Sequence, residues 1–316
     1  MMLCLNVQSV DPFFNLAVDE YLLKNSADDF LVLCINSPSV IIGKHQVAHR
    51  EADIKYITGN NIPVIRRISG GGAVYHDLGN LNFSFILQST GGRQVDFRKY
   101  TMPVLEFLTS QGINADFEGK SDLKVNGLKI SGNAEHVYRE RVLHHGTLLY
   151  DTNLDTLNSL LRKDTSRYST RAVESKSSKV MNLKKLVCQI KDVEEFRNRM
   201  FTYFTEIKGN MSTDLTHEEL EAIGSLAGSK YRTWEWNYAY GPEYYFSNRF
   251  EINNQYYSCR ILVKDGIIWE CKIEGSAEMS IAAKNLIGCR HMPEDIRRVL
   301  TEENKIITES DIFKFF

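Results

Sequence analysis

Several familiar chemistries lack their residues in this 316-residue chain. None of its six cysteines pair in a Cys-x-x-Cys arrangement, and none lies between Cys34 and Cys188. That scatter argues for a reducing compartment rather than a disulfide framework. It also leaves the middle of the chain without a thiol nucleophile. No serine sits in a Gly-x-Ser-x-Gly elbow. A P-loop needs Gly-Lys followed by Ser or Thr, whereas Gly43-Lys44 runs into His45. A dinucleotide fingerprint laid on Gly70 and Gly72 would require glycine where Tyr75 stands. No apolar run approaches the roughly 18 residues of a membrane span. The opening Met1-Met2-Leu3-Cys4-Leu5-Asn6 shows no basic region followed by an apolar core. The net charge of -2 is not the basic excess of a bulk nucleic-acid binder. The expectation is a cytoplasmic monomer with neither nucleic acid nor membrane as partner.

What is present is an ordinary globular composition, 43% hydrophobic and 25% charged, with enough length for one large domain or two unequal ones. Asp11-Pro12 predicts a capped helix start, and Phe14, Val18, Tyr21 and Leu22 follow at helical spacing. Strands are expected over 30–35, 39–42, 62–67, 73–76, 81–88 and 144–150. Helices are expected over 50–58, 97–111, 153–161, 193–207 and 216–227. Asn126-Gly127 predicts a tight hairpin between strands 122–125 and 128–132. Residues 164–179 read as a long mobile loop, and 162–179 hold six basic and two acidic residues, a welcome for an anion. After Gly241-Pro242 come strands over 245–252, 256–264 and 267–273, with a second tight turn at Asp265-Gly266, and closing helices over 277–287 and 293–300. The boundary is placed to give domains 1–242 and 243–316.

The chemistry concentrates in Arg66-Arg67-Ile68-Ser69-Gly70-Gly71-Gly72-Ala73-Val74-Tyr75-His76-Asp77. Three glycines in a row allow backbone amides to close on a ligand, and two arginines bring forked donors suited to phosphate or carboxylate. A negatively charged small molecule carrying phosphate is the natural guest. Lys129 points away from the core side taken by Leu128 and Ile130. It is either a solvated strand lysine or a ligand contact, and Ser131, Gly132 and Ala134 leave room for a ligand beside it. His144 and His145 must face opposite ways on one strand, which opposes a joint metal site. His45 and His49 have helical spacing, but Gln46 replaces the glutamate of a zinc protease.

Taken together these residues resemble the lipoate–protein ligase family. The resemblance rests on the run from Arg66 to Asn80, on Lys129-Ile130-Ser131-Gly132-Asn133-Ala134, on Asp11 to Glu20, on His144-His145-Gly146-Thr147-Leu148-Leu149 and on Trp234-Glu235-Trp236. It implies an α+β fold, a mixed β-sheet flanked by helices of the biotin/lipoate ligase type, with a small C-terminal α+β accessory domain. It implies that (R)-lipoate and ATP form lipoyl-AMP and pyrophosphate with Mg²⁺. A lysine of a lipoyl domain, in 2-oxoacid dehydrogenase E2 subunits or the glycine cleavage H protein, then takes the lipoyl group. Lys129 would be catalytic, touching both the α-phosphate and the lipoyl carbonyl. Arg67, Gly70, Gly71, Gly72, Ala73, Val74, Tyr75 and Asn80 would bind ATP and the adenylate. Val74 and His145 would line the lipoate site. Asp122 would support the site, and Arg171, Val173, Ser175 and Lys179 would belong to a loop covering the adenylate. No protein metal ligands are assigned. The alternatives are a transferase using an acyl carrier or premade lipoyl-AMP, and a non-catalytic lipoate or nucleotide sensor.

Overall fold

The computed structural model describes residues 1–89, 96–161, 165–303 and 307–316, with the side chains of 302 and 303 excepted. The chain divides into two compact units. The first comprises Met1–Lys44, Pro63–Asn158 and Lys176–Arg232, and the second His45–Ile62, Ser159–Ser175 and Thr233–Phe316. The tail from residue 243, read in the sequence as an accessory domain, is thus one part of a unit that also takes in two earlier segments.

In chain order the strands are β1 (Leu3–Asn6), β2 (Phe30–Ile35), β3 (Ser39–Ile42), β4 (Val64–Arg66), β5 (Val74–His76), β6 (Asn80–Gln88), β7 (Asp116–Glu118), β8 (Asp122–Val125), β9 (Leu128–Tyr138), β10 (Arg141–Leu149), β11 (Tyr168–Ser169), β12 (Met211–Thr213), β13 (Tyr244–Ile252), β14 (Gln255–Lys264) and β15 (Ile267–Glu274). The first unit holds an eight-stranded mixed sheet in the order β12-β1-β2-β6-β10-β9-β8-β7 and a three-stranded sheet in the order β4-β3-β5. The α+β class expected from the resemblance is the class observed.

The large sheet has two chemically different faces. Strand alternation and the β6–β10 register put Phe83, Phe85 and Leu148 on one side. They join Leu31, Leu33, Phe107 and Phe196 in the main apolar core, where each fully buried side chain contributes roughly 1.5–3 kcal/mol. Helices α2 (Phe97–Ser110) and α3 (Val193–Thr202) supply its outer layer. The opposite side carries Asn82, Ser84, His145 and Thr147, paired as His145↔Ser84 and Thr147↔Asn82. Across it lies helix α1 (Pro12–Asn25), which starts as its cap predicts: Asp11 Oδ1 accepts from Phe13 N at 3.1 Å, with Pro12 in the first turn. Asp19 of α1 reaches the sheet, accepting from Ser84 Oγ at 2.9 Å.

Two local expectations are corrected. The single helix expected over 50–58 is two short ones, Ala48–Glu51 and Ile54–Gly59. Asp53 starts the second by accepting from Tyr56 N at 2.8 Å, a capping bond that competes with continuing the first. The stretch read as a mobile loop is tied down at several of its described residues, residues 162–164 lying outside the described set. Tyr168–Ser169 pairs with β13, Val173 N donates to His45 O at 3.1 Å, and Arg50 Nη2 meets Glu174 Oε2 at 2.7 Å. Its polar composition satisfies backbone groups that no regular ladder takes up.

The second unit folds around the four-stranded sheet β11-β13-β14-β15. Asp265 and Gly266 both have positive φ, +48° and +70°, as a tight hairpin turn requires. Inside it His291 is fully buried, its Nδ1 2.7 Å from Tyr244 Oη and its Nε2 2.8 Å from Phe315 O. Burial pulls the His291 pKa down to about 4. In the first unit His76, bonded through Nδ1 to Asn36 Nδ2 at 2.9 Å, is pulled down to about 3 by burial, with Arg67 and His145 adding to it. Both folded values lie below the ordinary histidine value of about 6.5, so the unfolded chain binds these protons more readily. Their contribution to stability is complete above about pH 6.5 and is lost as pH falls toward the folded values. Urea unfolding between pH 7 and 5 should show this loss, at up to about 1.4 kcal/mol per pH unit for each ring. His291→Gln should flatten the slope, and an unchanged slope would refute the assignment.

Candidate active site

The small sheet delivers the arginines and receives the chain after the glycines. β3 pairs in parallel with β4 and antiparallel with β5, so residues 67–73 must cross from one edge of β3 to the other. Consecutive residues point oppositely, and the arginines separate accordingly. Arg66 is fully buried, donating from Nη1 to Gly43 O at 3.1 Å and Lys44 O at 3.0 Å. Arg67 turns into the glycine run. Its Nε donates to Ser69 Oγ at 3.0 Å, Nη1 to Ile41 O at 3.2 Å, and Nη2 to Gly70 O at 2.6 Å and Gly72 O at 2.8 Å. Burial lowers its pKa to about 10, which leaves it charged at neutral pH.

A buried guanidinium is tolerable only when its donors are satisfied. Here the acceptors are loop carbonyls, so Arg67 shapes the turn. Within a trans peptide the carbonyl and the following amide point in opposite directions. With the carbonyls of Gly70 and Gly72 held toward Arg67, the amides of Gly71 and Ala73 point away from it. Gly71 adopts φ +91°, a conformation open to glycine. Gly43 backs the turn so closely that a Cβ there would lie 2.1 Å from Gly71 O.

Lys129 comes from the other side of the site. Asn126 and Gly127 have φ of +50° and +75°, the paired left-handed residues of a tight hairpin. The β8–β9 ladder then skips a residue, pairing Lys124 with Lys129 but Leu123 with Ser131. The extra residue, Ile130, is fully buried, and such a bulge re-aims its neighbours. Residues 179–181 lie along Lys129: Lys129 N donates to Lys179 O at 2.9 Å, and Met181 N to Lys129 O at 3.0 Å. Lys129 Nζ pairs with Asp122 Oδ1 at 2.9 Å, and its Cε and Nζ would each stand 3.1 Å from a methyl added at Gly132. A methyl at Gly71 would in turn lie 3.9 Å from Ala134 Cβ. The glycine turn and the lysine strand therefore adjoin.

Two residues with no assigned role in the sequence reading, Asp19 and Ser69, converge on His145. His145 Nε2 lies 2.6 Å from Ser69 Oγ, and its Nδ1 3.2 Å from Asp19 Oδ2. Between them Asp19 and Ser69 link α1, β10 and the turn. The signal available for Asp19 was the acidic pair Asp19-Glu20 set between the apolar runs Leu16-Ala17-Val18 and Tyr21-Leu22-Leu23. His144 faces the opposite way, as alternation required, with Nδ1 2.8 Å from Glu135 Oε1. Asn80 is buried and donates to Asn82 Oδ1 at 2.9 Å. Asp77 is a turn former, accepting from Gly79 N at 3.0 Å and Asn153 N at 2.7 Å.

Of the loop residues, Lys179 is brought to Lys129. Arg171, Val173 and Ser175 fall in the second unit. There Gln46 Nε2 donates to Ser175 Oγ at 3.1 Å, and Ser175 N to Glu51 Oε2 at 3.2 Å. Among the described residues no group of three or more His, Cys, Asp or Glu side chains is placed to hold a metal. No helix among them is long and apolar enough to cross a membrane.

Residues 11–205 match the family model for the lipoyl protein ligase A/B catalytic domain. The chain belongs to the lipoate–protein ligase family. It is 37% identical over 304 residues to lipoate–protein ligase 1 of Staphylococcus aureus, covering 94% of this chain and 92% of the relative. A lipoate-protein ligase A solved with bound ATP matches with 30% identity and a TM-score of 0.61, over 75% of this chain and 97% of that one. A bipartite lipoate protein ligase of Thermoplasma acidophilum, analysed together with its E2 lipoyl domain, matches with 29% identity and a TM-score of 0.62, over 75% of this chain and 94% of that one. Membership makes the chain an enzyme of the ligase class and agrees with the adjoining glycine turn and lysine strand.

Proposed function

We propose that this enzyme activates (R)-lipoate with ATP and transfers the lipoyl group from lipoyl-AMP to a lysine of lipoyl domains. The observation that supports the reading is that the strand carrying Lys129 adjoins the turn held by Arg67, Ala134 Cβ lying 3.9 Å from a methyl placed at Gly71 and the Lys129 ammonium lying beside Gly132. A mixed anhydride has a phosphate to neutralise and a carbonyl to polarise, and neither step needs a protein nucleophile. Lys129 supplies one mobile ammonium for both, so catalysis is positioning with charge stabilisation. The amides turned outward by Arg67 hold the phosphate, with Gly70, Gly71, Gly72, Ala73, Val74 and Tyr75 forming the cradle and Asn80 bracing its exit. Arg67 acts through the cradle it shapes. Val74 and His145 line the lipoyl side, and Lys179, held against Lys129 by its carbonyl, belongs to the covering segment.

Mg²⁺ is bound mainly by substrate phosphates and water; Asp122, the carboxylate paired with Lys129, would help hold it, and the ion would supply positive charge to the phosphates. The receiving lysines are those of 2-oxoacid dehydrogenase E2 subunits and glycine cleavage H protein, and the setting is a monomeric enzyme of the cytoplasm. The test combines ATP, Mg²⁺, free lipoate and an unmodified lipoyl domain, with mass spectrometry of the domain. Addition of one lipoyl group is expected. Modification that requires premade lipoyl-AMP would instead establish the adenylate transferase.

The cysteine-dependent transferase has little support. Cys34 is buried and its thiol pKa is pushed far up, chiefly by burial, which disfavours the thiolate. Cys188 is exposed. Cys188→Ser should keep its turnover within about twofold, as surface substitutions usually do, and an inactive variant would revive a thioester route.

A further inference from the structure

Asp19, His145 and Ser69 stand in the order of an acid–base–nucleophile triad, but their surroundings rule out that use. Ser69 is fully buried, and its Oγ already accepts from Arg67 Nε at 3.0 Å. A nucleophile must reach substrate, and this hydroxyl faces protein. The chain of contacts continues beyond the serine, because Arg67 Nη2 donates to Gly70 O and Gly72 O at 2.6 and 2.8 Å.

We propose that Asp19, acting through His145 and Ser69, is a positioning residue that fixes Arg67 and so sets the direction of the glycine-turn amides. Arg67 can only donate, so the Ser69 oxygen accepts from it, and in the relay proposed the hydroxyl proton goes to His145 Nε2 at 2.6 Å. His145 is then neutral, with its proton on Nδ1, donating to Asp19 Oδ2 at 3.2 Å. Asp19 is held by a second donor, Ser84 Oγ at 2.9 Å, which anchors the relay to β6. From Arg67 through Ser69 and His145 to Asp19, each hydrogen bond of this relay runs from the turn toward α1. The side chains of Asp19 and His145 are only 9% and 12% exposed, so water offers little competition and the bonds polarise one another.

The kinetic consequence rests on the activity proposed above, whereas the tautomer does not, and the test separates them. Nitrogen NMR of the His145 ring in the full-length protein at pH 7.5 should report a neutral ring protonated at Nδ1, shifting toward Nε2 in Asp19→Ala. A wild-type ring that is charged or protonated at Nε2 overturns the relay, whatever the enzyme does. Lipoate-dependent ATP–pyrophosphate exchange is the second arm. Asp19→Ala and Ser69→Ala should each raise KM for ATP about tenfold, and the double variant should be no worse than the more impaired single, as for residues acting as one unit. A purely structural role would lower Tm without that non-additivity. Effects on KM that multiply in the double variant, or an unchanged KM in both singles, overturn the proposal. Absence of exchange in the wild type would refute the proposed activity, leaving the ring tautomer to decide the relay.

Discussion

Lys129→Ala should reduce lipoate-dependent ATP–pyrophosphate exchange about a thousandfold, the scale for removing a main electrostatic contact to a developing charge. Fold and stability should survive. The Lys129 side chain is about one-fifth exposed, at 22%, and so is its partner Asp122, at 24%, so the ion pair lies in water's reach and contributes little to stability. The backbone bonds that hold residues 179–181 against Lys129 come from its amide and carbonyl and are unchanged by the substitution. The check is exchange activity alongside thermal unfolding. Activity near wild type with an unchanged Tm would remove Lys129 from the chemistry. A second measurement sharpens the point: the variant supplied with lipoyl-AMP should also transfer slowly, because the same ammonium polarises the carbonyl under attack.

The second large effect concerns a residue with no functional group. In Gly43→Ala the new methyl would sit 2.1 Å from Gly71 O, 3.0 Å from Gly71 C and 3.2 Å from Gly70 C. All three are backbone atoms of the turn, so no side-chain rotation relieves the clash, and the turn must move away. Displacements of about 1 Å near reacting groups cost on the order of a hundredfold in rate. A fall of about that size in kcat/KM for ATP is expected, with KM for ATP rising. Tm should fall too, since overpacking typically costs about 1–3 kcal/mol. Gly59→Ala is the control, with nothing within 4 Å of its added methyl, and it should behave as wild type. Equal kinetics for the two variants would show that the turn tolerates displacement.

Much of this site is legible in the sequence because its signals are local. Three consecutive glycines, two adjoining arginines and a lysine followed by small residues announce close backbone approach and charge without reference to anything distant. The strands 30–35 and 39–42 are readable for the same reason, their apolar runs ending at turn residues, and they are observed as Phe30–Ile35 and Ser39–Ile42. The direction of a guanidinium is not local. Sequence reading sends Arg67 toward phosphate, whereas its donors go to Ile41, Ser69, Gly70 and Gly72. The link from Asp19 to His145 spans 126 positions, beyond any periodic pattern. The same limit hides the make-up of the second unit, whose three segments meet only in the folded chain, and the three-residue strands β7 and β12, too short to show an alternation.

The interior placement of Arg67 has a thermodynamic corollary. The carbonyls of Gly70 and Gly72 are immobilised during folding, by a charge that bulk ions cannot reach. Most of the entropy needed to order a glycine-rich segment is therefore spent before an encounter with nucleotide and is not subtracted from affinity. Ionic strength should then act on the two partners differently. Added salt slows the arrival of an anionic ligand by screening the solvent-facing lysines, while the shape that receives it stays the same.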